Sequence, residues 1–546
     1  MITFKSDKLE AEKSEIRLVE PPRRSQLWPW LFVLLVLLLT GFIRYRLLDM
    51  PLERDEGEYA CSGQFIMAGI PPYQQVWNMK LPGTYLAYAL GMAVFGQTVA
   101  GIHATLMVVN CLTIILVFLL GERLFGTIAG LAACATYGVL SASPAVLGLA
   151  AHATQFVVLF AVWGALRLWK TEEFYRWHAM FFSGLLFGLA FLMKQQAICF
   201  CVFAVAVVFW NAIQTGTIFK PVFIQKLFFL GVGMLLPFAL LCVYLRQAGL
   251  WPKFWFWTFS YAHAYAAENT LHDAAHWFLY YAHRHWLVYF PFAGFVFVSL
   301  PFVTRDRALR SQIIFAATLL FCSAIGTSID FYFRQHYFIL ALPALAILVG
   351  LAIVSLQFAT ENNIFKIVPP LVCILILGWS VYLQRDVFFK LSPDAAVQQI
   401  YPGESPFTEM PAVGSYIRNH SGAGASMAVI GSEPELYFYA QRPPATGYLY
   451  TYPFTEHQPF AAQMRAEMIS EIETNRPEYM VFVNNPGSGP DTNLFNWFAN
   501  YSKAHYTRVA VVEQIANDKT KFVADNSITN YHKMGPEYVG VFRRAN

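Results

Sequence analysis

Eleven apolar segments punctuate the first 384 residues, at 27–47, 99–121, 127–143, 151–169, 178–194, 197–213, 225–245, 286–304, 311–327, 337–357 and 366–384. Each is near the length a helix needs to cover the hydrocarbon core of a bilayer, and none shows the alternation of a barrel strand. Backbone groups in lipid must be satisfied within the protein itself, so the pattern predicts a polytopic helical bundle. A twelfth apolar stretch, "LPGTYLAYALGMAVFGQ" (81–97), fixes the sidedness of everything after it.

Lys and Arg in short loops stay on the cytoplasmic side. If 81–97 lies on the outer surface as a juxtamembrane helix, the basic N-terminus, Arg123, the group Arg167, Lys170 and Arg176, the pair Lys220 and Lys226, and Arg305, Arg307 and Arg310 of "TRDRALR" all fall inside. If it crosses, all of those after the N-terminus move outside. The first arrangement satisfies the rule. It predicts eleven spans, a cytoplasmic segment 1–26 ahead of a retained first span, and an outer loop at 48–98. Three further outer segments, 141–155, 246–285 and 328–338, can then converge with that loop above the bundle.

Past residue 385 the pattern changes. "SMAVIGSEPELYFYAQRPPATGYLY" reads as a strand, a turn, a short helix and an extended aromatic stretch. "PEYMVFVNN" and "TRVAVVEQ" read as further strands by their Val, Tyr and Phe content, with "FAAQMRAEMISEIETN" helical between them. Residues 385–546 are expected to form a small α/β domain on the outer side, following a transmembrane domain at 27–384.

Composition agrees with this picture. Apolar residues make up 57% of the chain and charged residues 13%, against roughly 25% charged in soluble domains. The net charge of +4 is spread over many loops, which gives no nucleic-acid footprint. The eight cysteines show neither zinc nor disulfide spacing: seven lie in or beside apolar segments, and Cys61 follows an acidic cluster.

That cluster is where chemistry is expected. "PLERDEGEYACSG" (51–63) gathers Glu53, Arg54, Asp55, Glu56 and Glu58 within six positions at the lip of the first span. A solvated acidic loop is the bland explanation. Against it stands the following "GIPPYQQVWNMKLPGTYL" (69–86), in which Pro71, Pro72 and Pro82 fix the backbone and Lys80 stands alone among apolar neighbours. Carboxylates and one ammonium at a membrane boundary suit transfer from a lipid phosphate, with a base for the acceptor and a cation for the leaving phosphate. Lys194 in "FLMKQQA" is either a snorkelling lysine or a second phosphate contact. Arg334, His336 and Tyr337 in "DFYFRQHYF" either anchor an interface or bind phosphate or sugar, the guanidinium fork matching phosphate oxygens. His152 and Gln155 in "GLAAHATQF" are open to a structural role or to a metal or sugar contact. The aromatic loop 251–269 reads as an interfacial belt that can also shape a groove for a polyprenyl chain.

Four stretches carry a resemblance: "RDEGEYA", "GIPPYQQVWNMKLPGTYL", "RQHYFILALPALAIL" and "IGSEPELYFYAQRPPATGYLY". They resemble the bacterial lipid-carrier glycosyltransferases of the GT-C fold, and within these the PMT-like branch of protein O-mannosyltransferases and lipid A aminoarabinose transferases. The resemblance covers nearly the whole chain. It implies that Asp55 is the active-site acid of the first outer loop, that Glu56 is its frequent partner, and that Lys80 is the basic residue of a "KPPG" motif associated with the carrier phosphate. This chain reads "KLPG", with Leu81 in place of a proline. Near His152 and Gln155 many members carry an acid, and His103 stands where an arginine is expected.

The reading that follows is a GT-C-type glycosyltransferase of the bacterial inner membrane, with its active site and C-terminal domain facing the periplasm. A sugar passes with inversion from a polyprenyl-phosphate donor to a hydroxyl of a lipid, glycan or protein acceptor, among membrane lipids and without nucleic acid. Lack of a Gly-rich phosphate loop fits a lipid-borne donor. Asp55 and Glu56 are the expected catalytic pair. Lys80, Lys194, Arg334 and His336 are the expected phosphate contacts, and Glu58, Tyr59, Tyr73, His152, Gln155 and Tyr337 the expected substrate lining. For Glu56, holding Asp55, binding the acceptor and sharing a divalent cation all stay open. Two other classes compete: a transporter or flippase of lipid-linked sugars, and an inactive assembly subunit. A transporter should carry charged, broken helices near the midplane in two related halves, whereas these charges gather at the outer rim and no repeat is visible.

Overall fold

The computed structural model describes residues 27–169, 177–303, 309–403, 406–484, 491–516, 519–529, 531 and 537–545. The segment 1–26, and Lys170, Arg176, Arg305 and Arg307 of the loop-charge argument, lie outside the described residues.

All eleven predicted segments are helical. Eight helices are long and apolar enough to cross a membrane: Leu27–Arg46, Val99–Phe125, Gln195–Gln214, Pro221–Gln247, Leu271–Val303, Arg310–Ser328, Gln335–Phe358 and Asn363–Leu383. Thr127–Ser141, Ala153–Leu168 and Trp177–Met193 are apolar but shorter. Burial accounts for the first of these: every side chain from Ala129 to Ser141 is buried, so longer helices enclose it. Pro221–Gln247, by contrast, turns Leu235, Leu240 and Val243 outward, as a lipid-facing helix does. Lipid supplies no hydrophobic drive between helices, and small residues let backbones close up instead; here Gly184 and Gly188 lie against the backbone of Leu230 and Met234.

The twelfth apolar stretch is short for a span. It forms a separate helix, Gly83–Phe95. At its start Thr84 donates to the Met193 carbonyl at 2.9 Å, and further along the Tyr88 hydroxyl donates to the Ala151 carbonyl at 2.8 Å. Val99–Phe125 begins at the same level, because His103 in its first turns binds the Leu48 carbonyl at 2.8 Å. The chain therefore leaves the bundle after Arg46 and re-enters it at Val99 from the same end. The loops around 141–153, 193–195 and 328–335 reach that end too.

Above it sits a five-stranded mixed sheet of order β1-β2-β5-β3-β4. Its strands are β1 (Met427–Ile430), β2 (Tyr479–Val483), β3 (Tyr506–Ala516), β4 (Lys519–Ala524) and β5 (Glu537–Arg544). β1 and β2 run parallel, joined by a crossover that carries the Glu435–Ala440 and Ala461–Asn475 helices, and the other pairs are antiparallel. The first three strands match the sequence reading. β4 and β5 do not stand out in it: β4 is a largely exposed edge bearing Lys519 and Lys521, a charged edge of the kind that blocks pairing with other chains.

The first outer loop lies between the bundle and this sheet. In the Arg54–Met67 helix, Tyr59 and Ala60 pack into the bundle core, while Cys61, with Val76 of the following loop, joins the core that holds Val429, Tyr437 and Val481. At Gly57 the two units meet backbone to backbone, since a Cβ there would collide with the main chain of Glu435.

Candidate active site

A reciprocal cap sets the first element of the site. Glu53 accepts the Glu56 N–H at 2.9 Å and Glu56 accepts the Glu53 N–H at 3.3 Å, a capping box that fixes the start of the Arg54–Met67 helix. Asp55 is thereby held in the first turn, where the helix dipole favours a carboxylate. Glu58, three residues on, shares its face.

Lys80 bridges the two. Its Nζ lies 2.6 Å from Asp55 Oδ1 and 2.7 Å from Glu58 Oε2, over the Tyr59 ring at 4.6 Å. The loop behind it is pinned from both sides: the Tyr73 hydroxyl donates to the Lys80 carbonyl at 2.7 Å and Gln195 Nε2 to the Met79 carbonyl at 2.6 Å. Leu81 is fully buried with Tyr73, Leu245 and Phe254. Packing thus restrains the position where the resembling motif has a proline.

The carboxylates divide by exposure. Asp55 and Lys80 keep 25% and 22% of their side chains exposed, Glu58 only 1% and Glu56 none. Glu58 is saturated: besides Lys80 it accepts from Tyr85 at 2.5 Å, Asn78 at 2.9 Å and Tyr450 at 2.9 Å. Glu56 accepts the Ala151 N–H at 2.6 Å and lies 3.1 Å from His103 Nε2. Both contacts tie the first loop to the bundle. Burial alone would raise the Asp55 carboxyl, but Lys80, His336 and His152 around it reverse this and hold it well below the usual carboxylate range. Burial would lower the Lys80 ammonium, and Asp55 and Glu58 instead carry it well above its ordinary value. Glu53 goes the other way, raised to about 7 by burial and, despite His152, by the neighbouring charges of Asp55 and Glu56.

Opposite Lys80 lie two stacked imidazoles. His152 precedes the Ala153–Leu168 helix without capping it through its side chain, and packs on His336, ring centroids 4.1 Å apart and 13° from parallel. Asp55 Oδ2 is 3.8 Å from His152 Nδ1 and 4.0 Å from His336 Nε2. Lys194 Nζ stands 3.5 Å from His336 Nε2 and 4.0 Å from the centre of the Tyr337 ring. The structure thus gathers Asp55, Lys80, His152, Lys194, His336 and Tyr337 from four separate stretches of chain. Arg334 is exposed at the rim, its guanidinium over Tyr332. Gln155 donates to the Gly148 carbonyl at 3.1 Å, a bond within its own loop, and Tyr73 lies beneath Lys80.

Sequence reasoning assigned no role to Tyr450, Tyr85, Asn78 or Gln195. Tyr450 comes from the C-terminal unit and also donates to the Arg54 carbonyl at 3.1 Å. The one available signal was that it sits in the aromatic stretch that carried the resemblance, and nothing local tied it to Glu58.

With this geometry in view, the chain can be set beside known proteins. Residues 80–244, a segment opening at Lys80, match the family model described as dolichyl-phosphate-mannose-protein mannosyltransferase. No functionally curated protein matches the chain by sequence. Among solved structures, ArnT from Cupriavidus metallidurans bound to undecaprenyl phosphate is similar over 94% of this chain and 98% of its own, with a TM-score of 0.56 at 14% identity. The apo oligosaccharyltransferase of Archaeoglobus fulgidus is similar over 92% of this chain and 75% of its own, with a TM-score of 0.51 at 11% identity. The arabinofuranosyltransferase AftD from Mycobacteria is similar over 96% of this chain and 40% of its own, with a TM-score of 0.52 at 15% identity. The resemblance read from the four sequence stretches therefore holds: this is a multi-pass membrane chain with the GT-C fold of the lipid-carrier glycosyltransferases.

Proposed function

We propose that the chain is a glycosyltransferase that moves a sugar from a polyprenyl monophosphate to an acceptor hydroxyl, with inversion, on the periplasmic face of a bacterial inner membrane. Residues 27–384 are its catalytic domain and 385–546 its periplasmic domain. The observation that carries this reading is the partly exposed Asp55–Lys80 pair at 2.6 Å, at the end of a helical bundle where a lipid headgroup and a water-borne acceptor can meet. The similar ArnT structure is described as bound to undecaprenyl phosphate, a carrier of the class assigned here.

In this scheme the phosphate draws Lys80 away from Asp55, and Lys194 and Arg334 add charge from the opposite wall. Asp55, ionised throughout the neutral range, takes the proton of the acceptor hydroxyl as its oxygen attacks the anomeric carbon from the side opposite the phosphate. The carbon–oxygen bond to phosphate breaks, and the electron pair stays on the phosphate oxygen, offset by the lysines. The charged groups cluster at the bundle's end rather than its middle, which favours transfer over translocation.

Purified protein given a labelled polyprenyl-phosphate sugar and a membrane extract tests this. Asp55→Asn should lower transfer by at least about 100-fold at an unchanged yield of folded protein, and Lys80→Ala should weaken donor binding. An Asp55→Asn enzyme with most of its activity would remove Asp55 as base, and sugar moved across a vesicle without transfer would establish a transporter.

A further inference from the structure

The stacked imidazoles have a feature the transfer scheme leaves unused. His152 is 1% exposed, and neither of its ring nitrogens has a hydrogen-bond partner among the described residues. Buried polar groups are ordinarily satisfied. Its Nδ1 instead points at two carboxylates from beyond hydrogen-bond reach, 3.7 Å from Glu53 Oε1 and 3.8 Å from Asp55 Oδ2. His336 Nε2 looks at the same Asp55 oxygen from 4.0 Å. One ligand atom from each of Asp55, His152 and His336 lies within 4.8 Å of the other two. Separations near 4 Å are too long for bonds between these groups, yet close to those of ligands around one ion, whose N and O donors sit about 2.0–2.2 Å from zinc.

A second carboxylate lies at the same place, since Glu53 and Asp55 both face His152. Lys80 is engaged with Asp55 Oδ1 and Glu58, which turns Oδ2 toward the imidazoles.

We propose that Asp55, His152 and His336 form a seat for a transition-metal dication of the zinc class. Two imidazoles and one carboxylate select Zn2+ or Co2+ over Mg2+, Ca2+ and Mn2+, which favour oxygen shells. Three protein ligands leave a position for a fourth, on the side where Lys194 stands. That fourth ligand is an anionic oxygen of a phosphate, and only this assignment rests on the proposed function. The ion gains and loses no electrons: when the carbon–oxygen bond to phosphate breaks, the pair stays on the phosphate oxygen, and the ion and Lys194 offset its charge. Asp55 binds through Oδ2 and keeps Oδ1 for the acceptor proton once Lys80 has moved to the phosphate.

The test uses the full chain in detergent, stripped with a chelator and titrated with Co2+ without donor. About one Co2+ per chain is expected, with visible ligand-field bands that vanish when Zn2+ displaces it. His152→Ala and His336→Ala should each weaken binding by about 10-fold or more, while His420→Ala, in the sheet domain, should bind as the parent does. Thermal unfolding checks that the variants are folded. Magnetic-resonance couplings from imidazole nitrogens to the bound ion in the unsubstituted protein identify the ligands without any variant. Absence of stoichiometric binding, unchanged binding in both histidine variants, or a bound ion without imidazole coupling overturns the seat. Because binding is read without donor, a protein that holds Co2+ and transfers no sugar would overturn the transferase reading and leave the seat standing.

Discussion

Four acidic residues within six positions do four different jobs, and exposure decides which. Asp55 faces the opening, Glu58 is consumed in holding Lys80, Glu56 fastens the loop to the bundle, and Glu53 caps the helix. Tyr450 shows how distant a positioning group can be, since its hydroxyl reaches Glu58 from the C-terminal unit. Tyr450→Phe removes a hydrogen bond to a buried carboxylate, worth about 1.5–3 kcal/mol, and leaves Lys80 less firmly held. Donor affinity should fall by about 10-fold, with the unfolding temperature lowered by a few degrees. Titration of the variant with a polyprenyl phosphate measures this, and unaltered affinity would show that Tyr450 serves docking alone.

At the scale of elements, the Arg54–Met67 helix works as a plate between the bundle and the sheet. Its two faces feed different cores, which is why it carries small residues at Gly57, Ala60 and Gly63. A methyl group added at Gly57 would strike the main chain of Glu435, and a main chain cannot rotate away as a side chain can. Gly57→Ala should therefore separate the helix from Glu435–Ala440, at about 1–3 kcal/mol of stability. The expected signs are a lower unfolding temperature and faster proteolysis between the bundle and the sheet domain. A variant that resists protease like the parent would show that the contact yields without opening.

Across the whole molecule, the interface between bundle and sheet holds a carboxyl group that no described residue bonds. Glu435 is fully buried and neither of its oxygens has a hydrogen-bond partner among the described residues. Burial, with Glu433 adding to it, raises its carboxyl well above the ordinary 4.5. A carboxyl raised on folding contributes stability that is complete below its unfolded value and is lost as pH climbs through the folded one. Docking of the sheet should thus weaken toward alkaline pH. Glu435→Gln keeps the shape and removes the charge, so its unfolding temperature should exceed the parent's by a margin that widens by a few degrees from pH 5 to pH 8. A margin constant with pH would place the titrating group elsewhere.

Much of this was legible in the order of residues, for reasons that differ by feature. The eleven helices were readable because lipid demands long apolar runs. Asp55 and Lys80 were readable because charges are rare beside membranes, so any cluster stands out. β4 was not, since an exposed, lysine-bearing edge lacks the apolar alternation that marks a strand, and β5, though central in the sheet, is broken by Gly540 and ends on two arginines. The separate duties of Glu56 and Glu58 were also hidden, because they depend on His103, Ala151, Tyr85, Asn78 and Tyr450, partners brought in by folding.

By itself the sequence determined that this chain is a membrane bundle with an acidic lip and one lysine poised near it, because hydrophobic length and charge placement are local properties. Tertiary structure alone decided which carboxylate stays open, which group completes the lysine's cradle, and that two histidines 184 positions apart stack over Asp55. Those outcomes depend on ångström-scale distances between residues far apart in the chain, and such distances exist only once helices have packed.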